Sequence, residues 1–175
     1  MAQNKVKWLV GIVLVVLVVY FSFIYDFSDQ PTVDELDLER YSGVWYEVAS
    51  FPSWFQRNLV NVTATYTLND DGTVGVLNQG YDVETRELRN ATAVAKLPDP
   101  DKPGELKVYF NRFIGGDYYV LEVGKYYEYA LVGSRNYKYL WILSRDPVLS
   151  DNVFNGLVER AEEIGYDVSK LEKKD

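Results

Sequence analysis

The chain has no cysteine and no histidine, and its only methionine is the first residue. Without cysteine there can be no disulfide, thiolate nucleophile, sulfur-ligated metal or lipid-modified N-terminal cysteine. Without histidine the usual general base of a serine hydrolase, the imidazole ligands of catalytic zinc and a proximal haem ligand are missing. Catalysis would have to rest on Asp, Glu, Lys, Tyr or Ser alone, so an enzyme is not expected, and no cofactor or metal is called for. Basic residues are also in short supply. Lys and Arg number 18 against 26 acids, a formal net charge of −8. Setting aside Lys5 and Lys7, which precede a long apolar run, 16 bases face 26 acids beyond Tyr25, a balance of −10. A phosphate-binding face needs the opposite sign, so nucleic acid is not an expected partner.

Aromatic residues are plentiful. They make up 15% of the chain, with 15 Tyr, 8 Phe and 4 Trp, which favours strands and a rigid lined cavity over a helical bundle. At 175 residues the chain suits one compact domain with a real core. Ahead of it, Trp8 to Tyr25 is an uncharged run rich in Val, Leu and Ile. Eighteen such residues would span roughly 27 Å as a helix, membrane-crossing length. The run ends in Tyr20-Phe21-Ser22-Phe23-Ile24-Tyr25 and not in small residues, so an uncleaved signal anchor is expected rather than a cleaved leader. Lys5 and Lys7 before the run and Asp26, Asp29, Asp34 and Glu35 after it place the N-terminus in the cytoplasm and the domain outside. With no cysteine to carry a lipid, the plasma membrane is preferred over an outer membrane. The expected organisation is therefore an anchor over 1–25, a linker over 26–33 and one domain over 34–175.

Within the domain, short alternating segments are separated by turn signals, the pattern of an all-β barrel or sandwich. Strands are expected at Val44–Phe51, Val60–Leu68, Thr73–Tyr81, Glu87–Leu97, Glu105–Phe110, Tyr118–Val123, Tyr127–Val132 and Tyr139–Ser144. Asn69-Asp70-Asp71-Gly72 reads as a hairpin turn, and the proline-rich stretch Pro98 to Gly104 as a loop. After Pro147 the period changes. Ser150 is placed to cap a helix whose apolar face is Val153, Phe154, Leu157, Val158, Ala161 and Ile164, with a stop at Gly165. A short strand around Tyr166 to Val168 and a charged tail complete the reading.

Gly43-Val44-Trp45-Tyr46-Glu47 on the first strand and Leu140-Trp141-Ile142-Leu143-Ser144-Arg145 on the last resemble the lipocalin family, within it the bacterial lipocalins and the apolipoprotein D-like branch. Val62 to Tyr66, Val76 to Tyr81 and Tyr129 to Val132 are similar too, and the resemblance runs from about Val33 to Lys170. The family's middle motif, usually T-D-Y, is replaced by Lys125-Tyr126-Tyr127. The resemblance implies an eight-stranded up-and-down antiparallel β-barrel with one C-terminal α-helix. It also implies a lipid-like ligand, fatty acid or lysophospholipid, held for storage, transport or membrane upkeep.

Alternation puts Trp141, Leu143 and Arg145 on one side, so the Arg145 guanidinium can lie over Trp45 and close one end, next to Gly43. Counting from Trp45 points Glu47 and Ala49 inward, and Tyr139 faces in with Trp141. Glu47 needs a partner if buried, with Asn78 or a Tyr hydroxyl as candidates, or else the polar head of a ligand. On the second strand the family comparison favours Thr65 as the inward residue, whereas hydrophobicity favours Ala64 and Tyr66. Trp54 and Phe55 stand in a loop at the expected mouth, to act as a lid or to touch a bilayer. Asn111 to Gly116 offers a similar tip. Asp99 to Gly104 lacks the third acid and the terminal Glu of a calcium loop, and the two Asn-X-Thr triplets at Asn61 and Asn90 fall in expected strands.

Overall fold

The computed structural model describes residues 30–111 and 114–174. The expected anchor lies outside them. Among the described residues no helix is long and apolar enough to cross a membrane.

Eight antiparallel strands follow one another around a closed barrel: β1 (Gly43–Ser50), β2 (Leu59–Leu68), β3 (Val74–Asp82), β4 (Leu88–Lys96), β5 (Glu105–Tyr109), β6 (Gly115–Val123), β7 (Tyr129–Gly133) and β8 (Leu140–Ser144). Each pairs with its sequence neighbour, and β1 closes the ring by pairing with both β2 and β8. A four-residue helix, α1 (Leu38–Tyr41), precedes β1, and α2 (Asp151–Ile164) follows β8.

Side-chain alternation sorts the apolar residues into two clusters. One fills the barrel interior, with Trp45, Ala64, Tyr66, Val76, Ala93, Val120 and Leu143 among its members. The other joins the outer faces of β1, β6, β7 and β8 to α2, through Leu121, Leu131, Ile142, Leu157 and Ala161. The helix follows its sequence signals: Ser150 is the N-cap residue, and Gly165 ends it at φ 108°, a left-handed conformation that favours glycine.

Strand ends differ where backbone geometry overrides side-chain pattern. Tyr127 was expected to open β7, but its φ of 61° and its N–H bond to the Gly124 carbonyl (2.8 Å) put it in the preceding turn. The expected strand at Tyr166–Val168 is absent. The chain instead turns through a 3-10 segment, Val168–Lys170, and its charged tail forms β9 (Glu172–Lys173) against Ala49 and Ser50 of β1. β9 has room there because β1 pairs with β2 only from Gly43 to Tyr46.

Part of the expected linker is docked. The Gln30 amide donates to the carbonyls of Ser134 (3.0 Å) and Arg135 (2.9 Å) and accepts from the Tyr166 hydroxyl (2.8 Å). The Val33 N–H then bonds the Val120 carbonyl, and the Asp37 N–H the Tyr127 hydroxyl (2.8 Å). The segment thus runs from the β7–β8 connection along the wall to the opposite end of the barrel.

Candidate ligand-binding site

The end of the barrel that receives α1 is shut. Trp45 is fully buried, and its indole N–H donates to the Tyr41 carbonyl (2.8 Å). The Arg145 guanidinium lies 3.9 Å from the indole centroid, a cation–π distance. Its nitrogens donate to five carbonyls: Val44, Arg40, Tyr41, Ser42 and Tyr127. One guanidinium thereby satisfies the carbonyls around α1 and ties the plug to β1. Gly43 permits this approach, with φ 99° and an ideal Cβ that would meet Arg145 Nη1 at 3.2 Å. Tyr127, from the segment that departs from the family motif, stacks under Arg40 at 4.3 Å.

Above the plug lies a floor of three phenols. The Tyr118 hydroxyl is 2.8 Å from that of Tyr41 and 2.9 Å from that of Tyr66. Burial pushes all three pKa values up, that of Tyr66 to about 12, so the floor stays neutral in ordinary buffers. A residual cavity of about 20 Å³ beneath them is lined by Leu36, Leu38 and Leu106 among others. That is space for one water at most.

The other half of the barrel carries small residues on β4 and β6. Ladder partners share a face, so Gly116, opposite Val108, points inward with Tyr118. An ideal Cβ on Gly116 would meet nothing within 4 Å. Ala91, in register with Asn78, faces the same interior as Ala93 yet is exposed. These residues border a cup that is open above the phenol floor.

A polar group hangs on the cup's wall near its mouth. Glu47 Oε2 accepts from the Gln56 side-chain amide (2.6 Å), and Gln56 Oε1 accepts from the Trp141 indole N–H (3.3 Å). Lys174, just beyond β9, brings its ammonium to 3.8 Å from Glu47 Oε1. Burial raises the Glu47 pKa against the opposing pull of Ser50, Lys174 and Gln56. Tyr139 stacks on Trp141 at 5.6 Å, and Phe55 packs on Tyr139 at 5.6 Å. Trp54 meets Phe55 edge-on at 5.7 Å and is 76% exposed.

Of the residues singled out in the sequence, the cup wall gathers Glu47, Tyr139 and Trp141, with Asn78 on the same interior face. Asn78 is not the partner of Glu47; Gln56 is. Ala49 does not face inward. The β1–β8 register slips between Glu47 and Ala49, and this bulge turns Ala49 out with Val48 into the cluster under α2. On β2 the interior takes Ala64 and Tyr66, leaving Thr65 on the other face. Gln56, Lys174 and the Tyr118 hydroxyl went unread. The period-2 pattern Gly116, Tyr118, Val120 was a usable signal for Tyr118, whereas a loop glutamine and a tail lysine carry none.

A family model described as a lipocalin-like domain matches residues 36–175. Temperature-induced lipocalin-1 of Arabidopsis thaliana is 43% identical over 153 residues, covering 83% of this chain and 82% of the relative. Outer membrane lipoprotein Blc of Escherichia coli is 41% identical over 140 residues, covering 79% and 78%. Among solved structures, insecticyanin of the tobacco hornworm superposes with a TM-score of 0.67 at 22% identity, covering 83% of each chain. With its plugged eight-stranded barrel, its outer helix and these matches, the chain belongs to the lipocalin family.

Proposed function

We propose that this lipocalin is a carrier: it sheathes one apolar molecule in the cup, a fatty acid or lysophospholipid, while a membrane anchor holds it at its lipid source. The observation that carries the reading is the contrast between the two halves of the barrel. One is packed by aromatics, and the other carries an exposed Ala91 and open space at Gly116. Transfer of each methylene from water into such a lining is worth about 0.8 kcal/mol, before the cost of immobilisation. The Glu47–Gln56–Trp141 group suits a polar head near the mouth, because it offers hydrogen-bonding atoms on an otherwise apolar wall.

The anchor rests on the length and lack of charge of Trp8–Tyr25 and on the charge difference across it. It places the barrel outside the cytoplasm, at the plasma membrane. Tethering raises the local concentration of barrel against the bilayer.

The reading is tested with a fluorescent fatty acid and with native mass spectrometry after gentle extraction. Saturable binding, competed by lysophospholipid, is expected. In the Gly116→Trp variant the added ring fills the cup, and affinity drops at least tenfold with the thermal midpoint little changed. A second reading, a barrel that takes no ligand, is favoured only by the packed lower half. Absence of both co-purifying lipid and probe binding would establish it. Turnover of a lipid that is lost in Glu47→Gln would instead point to an enzyme.

A further inference from the structure

We propose that the open end of the barrel docks directly on an anionic phospholipid bilayer, with Trp54, Phe55, Val83 and Ile114 in the headgroup layer and the cup facing the leaflet. The inference rests on the anchored reading and adds an orientation to it.

Three observations converge. The first is where the anchor joins the domain. Gln30 is pinned beneath the β7–β8 connection, which lies at the same end as the β1–β2, β3–β4 and β5–β6 connections. Five residue steps separate Tyr25 from Gln30, a reach of about 18 Å at most. The plug end is a further seven residues along the wall, at Asp37. A bilayer holding Trp8–Tyr25 is thus within reach of the open end.

The second is the distribution of exposed apolar side chains. Trp54 (76%), Ile114 (60%), Val83 (51%), Phe110 (45%) and Phe55 (42%) all stand on the open-end connections. Tyr126 and Val148 are also exposed, at the plug end, where acids outnumber bases. Aromatic rings with aliphatic neighbours at a rim are the side chains that partition into the headgroup region.

The third is charge. Among their described residues, the four open-end connections carry four bases, Arg57, Arg86, Arg135 and Lys138, against Glu84 and Glu87. The plug end, from Asp34 to Ser42 together with the three connections and the β8–α2 link, carries ten acids against four bases. On a chain of net negative charge, the rim alone suits an anionic surface.

The absence of cysteine supplies a clean background for the test. Single cysteines are placed in the full chain at the rim (Val83→Cys, Ile114→Cys) and at the plug end (Tyr126→Cys, Val148→Cys), and each carries a nitroxide. The protein is reconstituted into vesicles of three parts phosphatidylcholine to one part phosphatidylglycerol. Collision with lipid-soluble oxygen is compared with collision with a water-soluble nickel chelate. The rim labels are expected to favour oxygen severalfold and the plug labels the chelate. In vesicles lacking phosphatidylglycerol, or with Arg57→Glu and Lys138→Glu, the rim preference shrinks.

Rim labels as open to the chelate as the plug labels, on protein that stays with the vesicles, overturn the docking. Rim labels shielded from both reagents and coupled between chains overturn it in favour of a second copy. Protein that leaves the vesicles overturns the anchor and the docking together. Probe binding in detergent is unaffected by any of these outcomes, so the carrier reading stands or falls separately.

Discussion

At the scale of single residues, two side chains combine burial with charge and respond oppositely to change. Glu47 is a carboxyl whose pKa burial raises, so the folded protein binds this proton more tightly than the unfolded chain. Its contribution is most favourable in acid and is lost as pH rises from the ordinary glutamate range through the raised folded value. Glu47→Gln keeps an oxygen that can accept from Gln56 and removes the titration. The variant should gain on the parent at neutral pH and lose that advantage near pH 4, a crossover read from urea midpoints at the two pH values. Arg145 is the reverse case, a cation that serves five carbonyls at once, sharing only the Tyr41 carbonyl with the Trp45 indole among the bonds described above. Lysine restores the charge without the planar fork. Arg145→Lys is expected to cost about 2–4 kcal/mol in chemical denaturation and to leave the acid-side behaviour of Glu47 unchanged.

At the scale of elements, α2 and the barrel are separable in function though not in stability. Leu157 is 1% exposed and packs on the outer wall, on the far side of β7 and β8 from the cup. Leu157→Ala should lower stability by about 2–5 kcal/mol and leave probe affinity unchanged when binding is measured well below the melting midpoint. Gly165→Ala forces a Cβ into the left-handed cap and is expected to cost about 1 kcal/mol, seen as a lower midpoint in the same assay. The strands and this helix were legible in the sequence because an unbroken ladder or a whole helix repeats its side-chain period. The bulge in β1 was not. Val48 and Ala49 are both small and apolar, so an extra residue there leaves no mark on the pattern, and everything counted past it changes face. β9 was hidden for another reason: its Glu172 and Lys173 are held by backbone pairing, to which side-chain polarity gives no clue. The family resemblance led to the barrel and the Trp45–Arg145 end, but on β2 simple hydrophobicity chose the inward face correctly where the comparison chose Thr65.

At the scale of the whole molecule, the barrel has a basic, apolar rim and an acidic plug, with a docked segment running between them. Gln30 is the upper fastening of that segment, 4% exposed and bonded to two carbonyls and a phenol. Gln30→Ala strands these partners and should cost about 2–3 kcal/mol. A nitroxide at Thr32→Cys should become more mobile in that background, a readout that separates local release from general destabilisation. The strap gives the fold a definite response to force. A pull on the N-terminal segment loads the Gln30 bonds first, then the Val33–Val120 bond and the Asp37–Tyr127 bond, and reaches the Arg145 clamp only after those have parted. Tension would therefore unzip the strap from the top and dislodge the plug last, so the cup keeps its floor while the leash above it lengthens.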